Sequence, residues 1–170
     1  MRIKKGYWVW GLFPYKETNL LNEIKAKVQS QLKSPIFETH ITLAGPYMNI
    51  DKNFLNKVKT FVESNSVIIL NSIGYEFKQE IFKSFYISIE NSRNLKELRK
   101  NIYDLNKFDL GNNYSPHISL SYGNHEIKEK KILISKLPEF NKQIEMSKIA
   151  IVEVNEDINL WKILKSFDLN

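Results

Sequence analysis

Two short segments of this chain have nearly the same sequence. His40-Ile41-Thr42-Leu43 returns later as His117-Ile118-Ser119-Leu120, so each segment has a hydroxyl residue two positions after a histidine. Successive side chains of a strand point to opposite faces, so each histidine shares one face with its hydroxyl and the aliphatic residues share the other. The repeat therefore predicts two equivalent strands, each with an apolar face toward a core and a polar face carrying an imidazole.

The segments around the two motifs alternate between strand and helix patterns. Apolar and β-branched runs bounded by turn residues predict strands, and apolar residues at helical spacing predict helices. The predicted strands cover residues 7–13, 36–44, 67–77, 81–90, 114–122, 147–154 and 159–167. The predicted helices begin at Thr18 or Asn19, at Asp51, at Asn91 or Ser92 and at Glu126, and they end before Pro35, at Phe61, at Leu105 and at Leu137.

The order of these elements in the first part of the chain is repeated in the second part. Such a repeat favours an α+β fold of two lobes that face each other, each contributing one histidine strand to a central cleft. A polar stretch at residues 106–113 leads into the second histidine strand, and no linker rich in Pro, Gly or Ser divides the lobes. We therefore expect a single domain over residues 1–170.

Composition limits the functional classes. The formal net charge of +6 favours an anionic partner such as a phosphoester or nucleic acid. Nearly all of this charge comes from lysine, and the run Lys128-Glu129-Lys130-Lys131 is interpreted as a solvated helix face. With no cysteine and no apolar run of about 20 residues, we expect a monomeric cytoplasmic protein without disulfides, thiolate metal sites or membrane segments.

A pair of imidazoles facing one cleft suits chemistry at phosphorus. Imidazole titrates near neutral pH, so one ring can accept a proton from an entering oxygen while the other protonates the leaving oxygen. The hydroxyls of Thr42 and Ser119 are suitable donors to the non-bridging oxygens, whose charge builds in the transition state. This pairing predicts His40 and His117 as catalytic residues and requires neither a metal nor another cofactor.

Two other interpretations of the histidines remain open at the level of sequence. A single strand histidine is more often a hydrogen-bonded structural residue, although two in matched contexts weaken that interpretation. Two histidines can also bind zinc, but a third ligand is not apparent. His125, the remaining histidine, follows a predicted strand and is expected at a helix cap or on the surface.

The paired motif resembles the His-x-Thr/Ser signature of the two-histidine phosphoesterase superfamily. Within it, the chain is most similar to the cyclic phosphodiesterases that act on 2′,3′-cyclic nucleotides and on ADP-ribose 1″,2″-cyclic phosphate. The similarity extends from Tyr7-Trp8-Val9-Trp10 in the first strand, through residues 114–122, to a closing hairpin over residues 149–164. It implies a bilobal, pseudo-twofold fold of two antiparallel sheets that line a cleft, with helices outside.

The same resemblance implies roles for individual residues. His117 would activate the attacking water, His40 would protonate the leaving ribose oxygen, and Thr42 and Ser119 would hold the phosphate. The product from a nucleoside 2′,3′-cyclic phosphate would be a 2′-phosphate. Alignment with the family places Trp10, Phe82 and Tyr122 among the residues that bind substrate, whereas Trp161 is assigned to packing. Strand alternation would instead put Tyr122 on the core face, unless the end of the strand bends outward.

Other substrates and a non-catalytic role stay open as alternatives. The same core would serve a two-histidine enzyme that processes RNA ends or degrades cyclic oligonucleotides, a 2′-5′ RNA ligase-like protein, or a nucleotide- or RNA-binding module without catalysis. Ligase-like members often carry a basic residue soon after the first motif, whereas Ala44-Gly45-Pro46 follows Leu43 here. The expected partner is therefore a small cyclic phosphate, with RNA ends as the alternative.

Overall fold

The computed structural model describes residues 5–106 and 113–170, which contain eight strands and four α-helices. The strands are β1 (Gly6–Leu12), β2 (Ile41–Tyr47), β3 (Ile68–Phe77), β4 (Phe85–Ile89), β5 (His117–Ser121), β6 (Gln143–Met146), β7 (Lys148–Val154) and β8 (Lys162–Asp168). The helices are α1 (Tyr15–Leu32), α2 (Lys52–Glu63), α3 (Arg93–Asn106) and α4 (Ile127–Lys136), and short 3-10 helices cover Ile81–Lys83 and Ile158–Leu160. None of the helices in these two ranges is long and apolar enough to cross a membrane.

The strands pair antiparallel in the order β6-β3-β4-β5-β2-β1-β7-β8. Read outward from the centre, the halves are β2-β1-β7-β8 and β5-β4-β3-β6, and they meet where Ile41 faces Ile118. The predicted α+β fold, with antiparallel strands and a histidine strand in each lobe, is confirmed. The two sheets expected from the sequence are joined through that residue pair. The lobes are not two halves of the chain, because β7 and β8 return to the lobe that contains β1 and β2.

Strand alternation separates a helix-covered face from a cleft face. The motif aliphatics Ile41, Leu43, Ile118 and Leu120 are fully buried in a core shared with apolar residues of the four helices. Burying each such side chain contributes about 1.5–3 kcal/mol. A smaller cluster on the opposite face of β1 and β7 contains Trp10, Ala150, Val152 and Val154. The histidine and hydroxyl side chains therefore lie away from the main core, as predicted.

Three of the four predicted helix starts are confirmed by their capping bonds, that of α4 by the backbone N–H of Glu126, which donates to Glu129 Oε2 at 3.3 Å. The backbone N–H of Phe54 donates to Asp51 Oδ1 at 2.7 Å ahead of α2, and that of Leu95 donates to Ser92 Oγ at 3.3 Å ahead of α3. The start predicted for α1 at Thr18 is wrong, because this helix begins one turn earlier, at Tyr15.

The segment before His40 is not the strand that was predicted over residues 36–44. Side chains from α1 bind its backbone instead: Lys25 Nζ donates to the carbonyl of Phe37, and Gln29 Nε2 donates to that of Pro35 at 2.9 Å. β2 starts only at Ile41 and continues through Pro46. Proline is tolerated there because this end of β2 pairs with β1 alone and needs no N–H on its other side.

Other predicted boundaries also need correction. The strands predicted over residues 81–90 and 159–167 begin in the 3-10 helices Ile81–Lys83 and Ile158–Leu160, and the one predicted over residues 114–122 is shortened to β5. The Ile81 carbonyl accepts a hydrogen bond from the N–H of Gly123 at 2.9 Å, which fastens this turn to the end of β5. β6 was missed because a four-residue strand with polar alternate positions gives little pattern. Of the predicted polar stretch, residues 107–112 lie outside the described part of the chain.

The interpretation of residues 128–131 as a solvated helix face is wrong at one position. Lys130 is fully buried, and its Nζ donates to the carbonyl of Lys78 at 2.8 Å, whereas Lys128 and Lys131 are exposed. α4 is thereby attached to the turn that precedes the 3-10 helix Ile81–Lys83.

Candidate active site

The two motif histidines lie at the centre of the sheet, where its halves meet. His117 is the first residue of β5, and His40 directly precedes β2. Because Ile41 faces Ile118, the antiparallel register makes the two histidines diagonal neighbours. Such neighbours are about 7–8 Å apart in a regular ladder. Both imidazoles line one cleft of about 630 Å³.

The motif hydroxyls line the same cleft as the histidines. On the β2 side, the hydroxyl of Tyr114 donates to the carbonyl of Thr42 at 2.8 Å. On the β5 side, the side chain of Tyr122 is hydrogen-bonded to Ser119. The four residues predicted from the repeat are therefore brought together in one place.

Each histidine has one ring nitrogen fixed by the backbone. Nδ1 of His40 lies 2.7 Å from the carbonyl oxygen of Glu38, and Nδ1 of His117 lies 2.8 Å from that of Ser115. A carbonyl oxygen only accepts, so Nδ1 donates in both rings. Nε2 of the neutral ring is then a base, and Nε2–H of the charged ring is an acid. The two residues thus share one tautomer and one way of exchanging a proton.

The surroundings of both rings favour the neutral form. Burial is the main cause that lowers the pKa of His40 to about 3; the nearby charges of Lys25 and His117 act in the same direction, and the hydrogen bond to the carbonyl of Glu38 opposes them. Burial also lowers the pKa of His117 to about 4, with Lys83 and Lys78 acting in the same direction. Both imidazoles are therefore bases at neutral pH in the unliganded protein.

An aromatic ring supports each imidazole at an equivalent position. Trp10 on β1 is stacked on His40, with ring centroids 3.6 Å apart and 7° between the planes. Tyr86 on β4 meets His117 edge to face at 5.1 Å and 62°. Each aromatic residue lies directly across from the motif hydroxyl of the neighbouring strand, so the pseudo-twofold relation extends beyond the motifs.

The aromatic residues predicted to bind substrate, Trp10, Phe82 and Tyr122, all line the cleft. β5 ends at Ser121, so Tyr122 leaves the strand and turns toward the cleft rather than the core. Its ring stacks on Phe37 at 4.0 Å and meets Phe82 edge to face at 5.4 Å. The outward bend that the sequence left open is therefore present.

Sequence reasoning assigned Trp161 to packing, but its side chain lines the cleft. The indole lies 5.7 Å from the ring of Trp10 and 5.9 Å from that of Tyr122. Its Nε1–H donates to the carbonyl of Asn155 at 2.9 Å, which fixes the plane of the ring. No local pattern distinguishes this residue from a core tryptophan; only the sheet order, which puts β7 and β8 beside β1, brings it to the site.

Basic side chains that the motifs did not indicate lie beside His117. Lys78 and Lys83 line the cleft. Nζ of Lys83 lies 3.5 Å from the carbonyl oxygen of Ser115 and 4.9 Å from the ring centroid of Tyr86. Burial lowers the pKa of Lys83, and Lys78 lowers it further. This side of the cleft is suited to an anion.

A third basic residue reaches the other side of the cleft from α3. Arg99 Nε donates to the carbonyl of Leu43 at 2.8 Å, and its guanidinium lies 3.3 Å from the ring centroid of Tyr114. No basic residue closely follows the first motif in the sequence, where the next one is Lys52. A cation nonetheless lies next to Leu43, supplied by an element more than 50 residues further along the chain.

Glycine is required just after each motif. Gly45 and Gly123 have φ values of +127° and +132°, a region that other residues rarely adopt. A Cβ at Gly45 would lie 2.8 Å from the indole of Trp8, and one at Gly123 would lie 2.7 Å from His125 Nε2. The turn-prone residues after the motifs are therefore fixed by both conformation and space.

The third histidine takes no part in the cleft. Nε2 of His125 lies 3.3 Å from Ser121 Oγ and 3.2 Å from the carbonyl oxygen of Tyr122. Among residues 5–106 and 113–170, no three side chains of His, Asp or Glu are grouped as metal ligands. The side chains lining the cleft that can exchange protons include the two imidazoles and the carboxylate of Glu80, which lies 3.8 Å from Lys78 Nζ.

Comparison with solved structures shows which fold this is. The chain aligns with TT0787 of Thermus thermophilus at a TM-score of 0.68 and 14% identity, covering 99% of this chain and 98% of that one. It aligns with E. coli LigT at a TM-score of 0.63 and 13% identity over 98% of both chains. A structure described as a phosphoesterase aligns at a TM-score of 0.60 and 12% identity over 99% of both chains. No protein-family model and no curated protein sequence matches the chain. The similarity therefore lies in the three-dimensional arrangement, and the chain has the two-histidine phosphoesterase fold.

Proposed function

We propose that this chain is a metal-independent cyclic phosphodiesterase. Its substrates are nucleoside 2′,3′-cyclic phosphates, which it converts to 2′-phosphates, and ADP-ribose 1″,2″-cyclic phosphate belongs to the same chemical class. One observation carries the proposal: His40 and His117 line one cleft with Nδ1 of each ring fixed by a backbone carbonyl. Two imidazoles held in this way can supply both proton transfers of a hydrolysis.

The reaction is a displacement at phosphorus with water as the nucleophile. Nε2 of His117 accepts a proton from the water as its oxygen forms a bond to phosphorus. The bond from phosphorus to the ribose 3′ oxygen breaks, and Nε2–H of His40 gives that oxygen its proton. The ring opens to a 2′-phosphate and a free 3′-hydroxyl, and the two histidines finish with their protonation states exchanged.

This division of roles follows the resemblance to the cyclic phosphodiesterases. In the unliganded protein the pKa of His40, about 3, is lower than that of His117, about 4, so His40 has to gain its proton in the complex with substrate. The indole of Trp10 lies flat on His40, and an aromatic face stabilises a cation placed over it. Lys83 and Lys78 lower the pKa of His117, which favours the neutral base. The bound phosphodiester carries a negative charge, which favours protonation of the acid in the complex.

The motif hydroxyls would stabilise the developing charge on phosphorus. Thr42 and Ser119 each lie on the same strand face as their histidine, so their O–H groups can donate to the two non-bridging oxygens. Lys83 adds a positive charge on the His117 side of the cleft. Removing one donor of this kind typically costs about 10²–10³ in kcat.

The ligands described for one structural neighbour, which also include ATP and NADP+, support a site for a phosphorylated nucleoside. Structures of E. coli LigT are described in complex with 3′-AMP and with phosphate, and they align with this chain at TM-scores of 0.63 and 0.62. An aromatic lining suits the base of such a nucleotide, because stacking on an aromatic face accepts any base. Phe82 and Trp161 are half-exposed rings that line the cleft and can provide that surface.

The deciding experiment is product analysis with purified protein in a chelator. Adenosine 2′,3′-cyclic phosphate should give adenosine 2′-phosphate, and His40→Ala and His117→Ala should each lower kcat by about 10²–10⁴, the usual contribution of a positioned acid or base. His125→Ala is the matched control, because that imidazole faces Ser121 rather than the cleft, and it should retain parental turnover.

Two results would overturn the proposal. If either motif variant turns over as fast as the parent, two-histidine catalysis is wrong. If the protein binds cyclic phosphates tightly but hydrolyses none of a panel that includes ADP-ribose 1″,2″-cyclic phosphate, the chain is a binding module.

A further inference from the structure

A second cavity adjoins the cleft on the side away from His117. It has a volume of about 750 Å³ and lies between α1, the segment before β2 and the start of β8. It shares two residues with the catalytic cleft, Trp10 and Trp161, whose rings meet edge to face. A ligand that extends past this pair from the cleft therefore enters the second cavity.

The rim of this cavity exposes large aliphatic side chains. Ile36 is 83% exposed and Ile163 is 38% exposed, and both line it. A single exposed aliphatic residue is ordinary, but apolar side chains grouped around a concave site mark a surface that a ligand covers. The flat indole of Trp161 forms the wall toward the catalytic cleft. These surfaces fit a planar ring.

Two amide side chains in the cavity are held in fixed orientations. The hydroxyl of Thr39 donates to Asn22 Oδ1 at 2.7 Å, so the NH₂ group of Asn22 has a fixed direction. Gln29 Nε2 donates to the carbonyl of Pro35 at 2.9 Å, so its Oε1 is the acceptor end. A fixed donor and a fixed acceptor are what the edge of a nucleobase requires.

Positive charge lies at the same site. Lys25 is 4% exposed, with its Nζ bonded to the carbonyl of Phe37 and 3.2 Å from Thr39 Oγ1. Lys162 lines the cavity on an exposed stretch of β8. Cations next to a stacking surface suit a nucleotide, whose base is planar and whose backbone phosphate is negative.

We propose that the second cavity binds the penultimate nucleoside of an RNA chain that ends in a 2′,3′-cyclic phosphate. The terminal cyclic phosphate then lies between the histidines, and the 5′-phosphate of the terminal nucleoside leads past Trp10 and Trp161 to the penultimate nucleoside in the second site. The inference rests on the proposed function and deepens it, because it makes an RNA end a better ligand than a mononucleotide.

The test is a binding measurement that does not depend on turnover. Calorimetry would compare adenosine 2′-phosphate with a 3′,5′-linked adenosine dinucleotide that ends in a 2′-phosphate. The parent should bind the dinucleotide at least about fivefold more tightly, the smallest gain expected from one stacked base. Equal dissociation constants for the two ligands would overturn the inference.

Variants locate the source of that gain. Ile36→Asp and Ile163→Asp place a negative charge on the exposed rim and should remove most of the dinucleotide gain while leaving the mononucleotide dissociation constant unchanged. Ile73→Asp is the matched control, since Ile73 is 61% exposed on β3 and lines neither cavity. It should keep the full gain. A gain that survives both rim variants would place the second nucleoside elsewhere and overturn the inference.

Turnover of adenosine 2′,3′-cyclic phosphate, measured separately, tests the proposed function alone. If it is turned over while the two product ligands bind equally, the second site is wrong and the catalytic proposal stands. If it is not turned over while the dinucleotide still binds more tightly and the rim variants abolish the difference, the site stands and the catalytic proposal fails.

Discussion

The indole of Trp10 lies flat against the imidazole of His40, with 3.6 Å between the ring centroids and 7° between the planes. The indole is 2% exposed, so the surrounding cluster on β1 and β7 holds it firmly. Its contact fixes the plane of the imidazole, and its face stabilises the charged ring. The imidazole covers one face of the indole. We therefore expect Trp10 to act mainly through His40, as a positioning residue, rather than by contact with the substrate.

Substitution of Trp10 should therefore change the titration of His40 as well as the rate. Trp10→Leu removes the aromatic face, and the loss of about 0.5–2 kcal/mol should lower kcat by roughly 2- to 30-fold. The pKa of the His40 acid in the complex should fall, so the limb of the pH profile that it controls should move to lower pH. Trp10→Phe keeps an aromatic face and should retain much of the parental kcat and of the parental pH profile.

The control for this prediction separates packing from contact with the imidazole. Leu12→Ala removes apolar volume beside the same cluster without touching His40. It should lower the free energy of unfolding with little change in kcat. If Trp10→Leu loses stability but keeps the parental pH profile, the indole is a packing residue only.

The candidate catalytic residues could be predicted because their arrangement depends on local rules. A repeated pattern of histidine and hydroxyl fixes which side chains share a strand face, and the structure brings all four to one cleft. Trp161, Lys83 and Arg99 were not predictable in the same way. They arrive from a closing hairpin, a 3-10 turn and a helix, and no spacing in the sequence connects them with the motifs.

The errors in the fold have a related physical cause. Residues 36–40 look like a strand because they contain apolar and β-branched side chains, but α1 binds the backbone here: Lys25 donates to the carbonyl of Phe37, and Gln29 donates to that of Pro35, just before this segment. The join between the lobes could not be predicted either, since it depends on the pairing of Ile41 with Ile118 across the whole chain. Both the conformation of the segment before His40 and the join between the lobes depend on contacts with residues that are distant in the sequence.

The pH dependence should differ between the free enzyme and the complex. Because kcat/KM reports the free enzyme, it should be highest on the acid side of pH 6.5, between the lowered pKa values of about 3 for His40 and about 4 for His117. A bound phosphodiester anion raises both values, so the optimum of kcat should lie at higher pH. Steady-state kinetics from pH 3 to 9 would check this. Coincident optima at or above neutrality would contradict it.

Lys83 should act on both the bound phosphate and the neighbouring imidazole of His117. Its charge lowers the pKa of His117, so Lys83→Met should raise that pKa. It should also raise KM by about fivefold, since a partly exposed charge contact contributes ~1 kcal/mol. NMR titration would follow the imidazoles of a chain that has three histidines. Lys128→Met, at an exposed position on α4, should change neither quantity. If the titration of His117 is unchanged in Lys83→Met, Lys83 does not act on this imidazole and the prediction is wrong.

Burial of His40 should make the fold sensitive to acid. The folded pKa of about 3 lies below the ordinary value of 6.5, so between these values the unfolded chain binds more protons than the folded one. Stability contributed by the neutral ring is complete above pH 6.5 and is lost as the pH falls toward 3. At about 1.4 kcal/mol per pKa unit, the parent should lose up to roughly 3 kcal/mol more than His40→Gln between pH 6.5 and 4. Lys25 and His117 face the same ring and are unchanged in the variant, so the difference isolates His40. Urea unfolding at several pH values measures it, and parallel losses in the two proteins would show that His40 titrates normally in the fold.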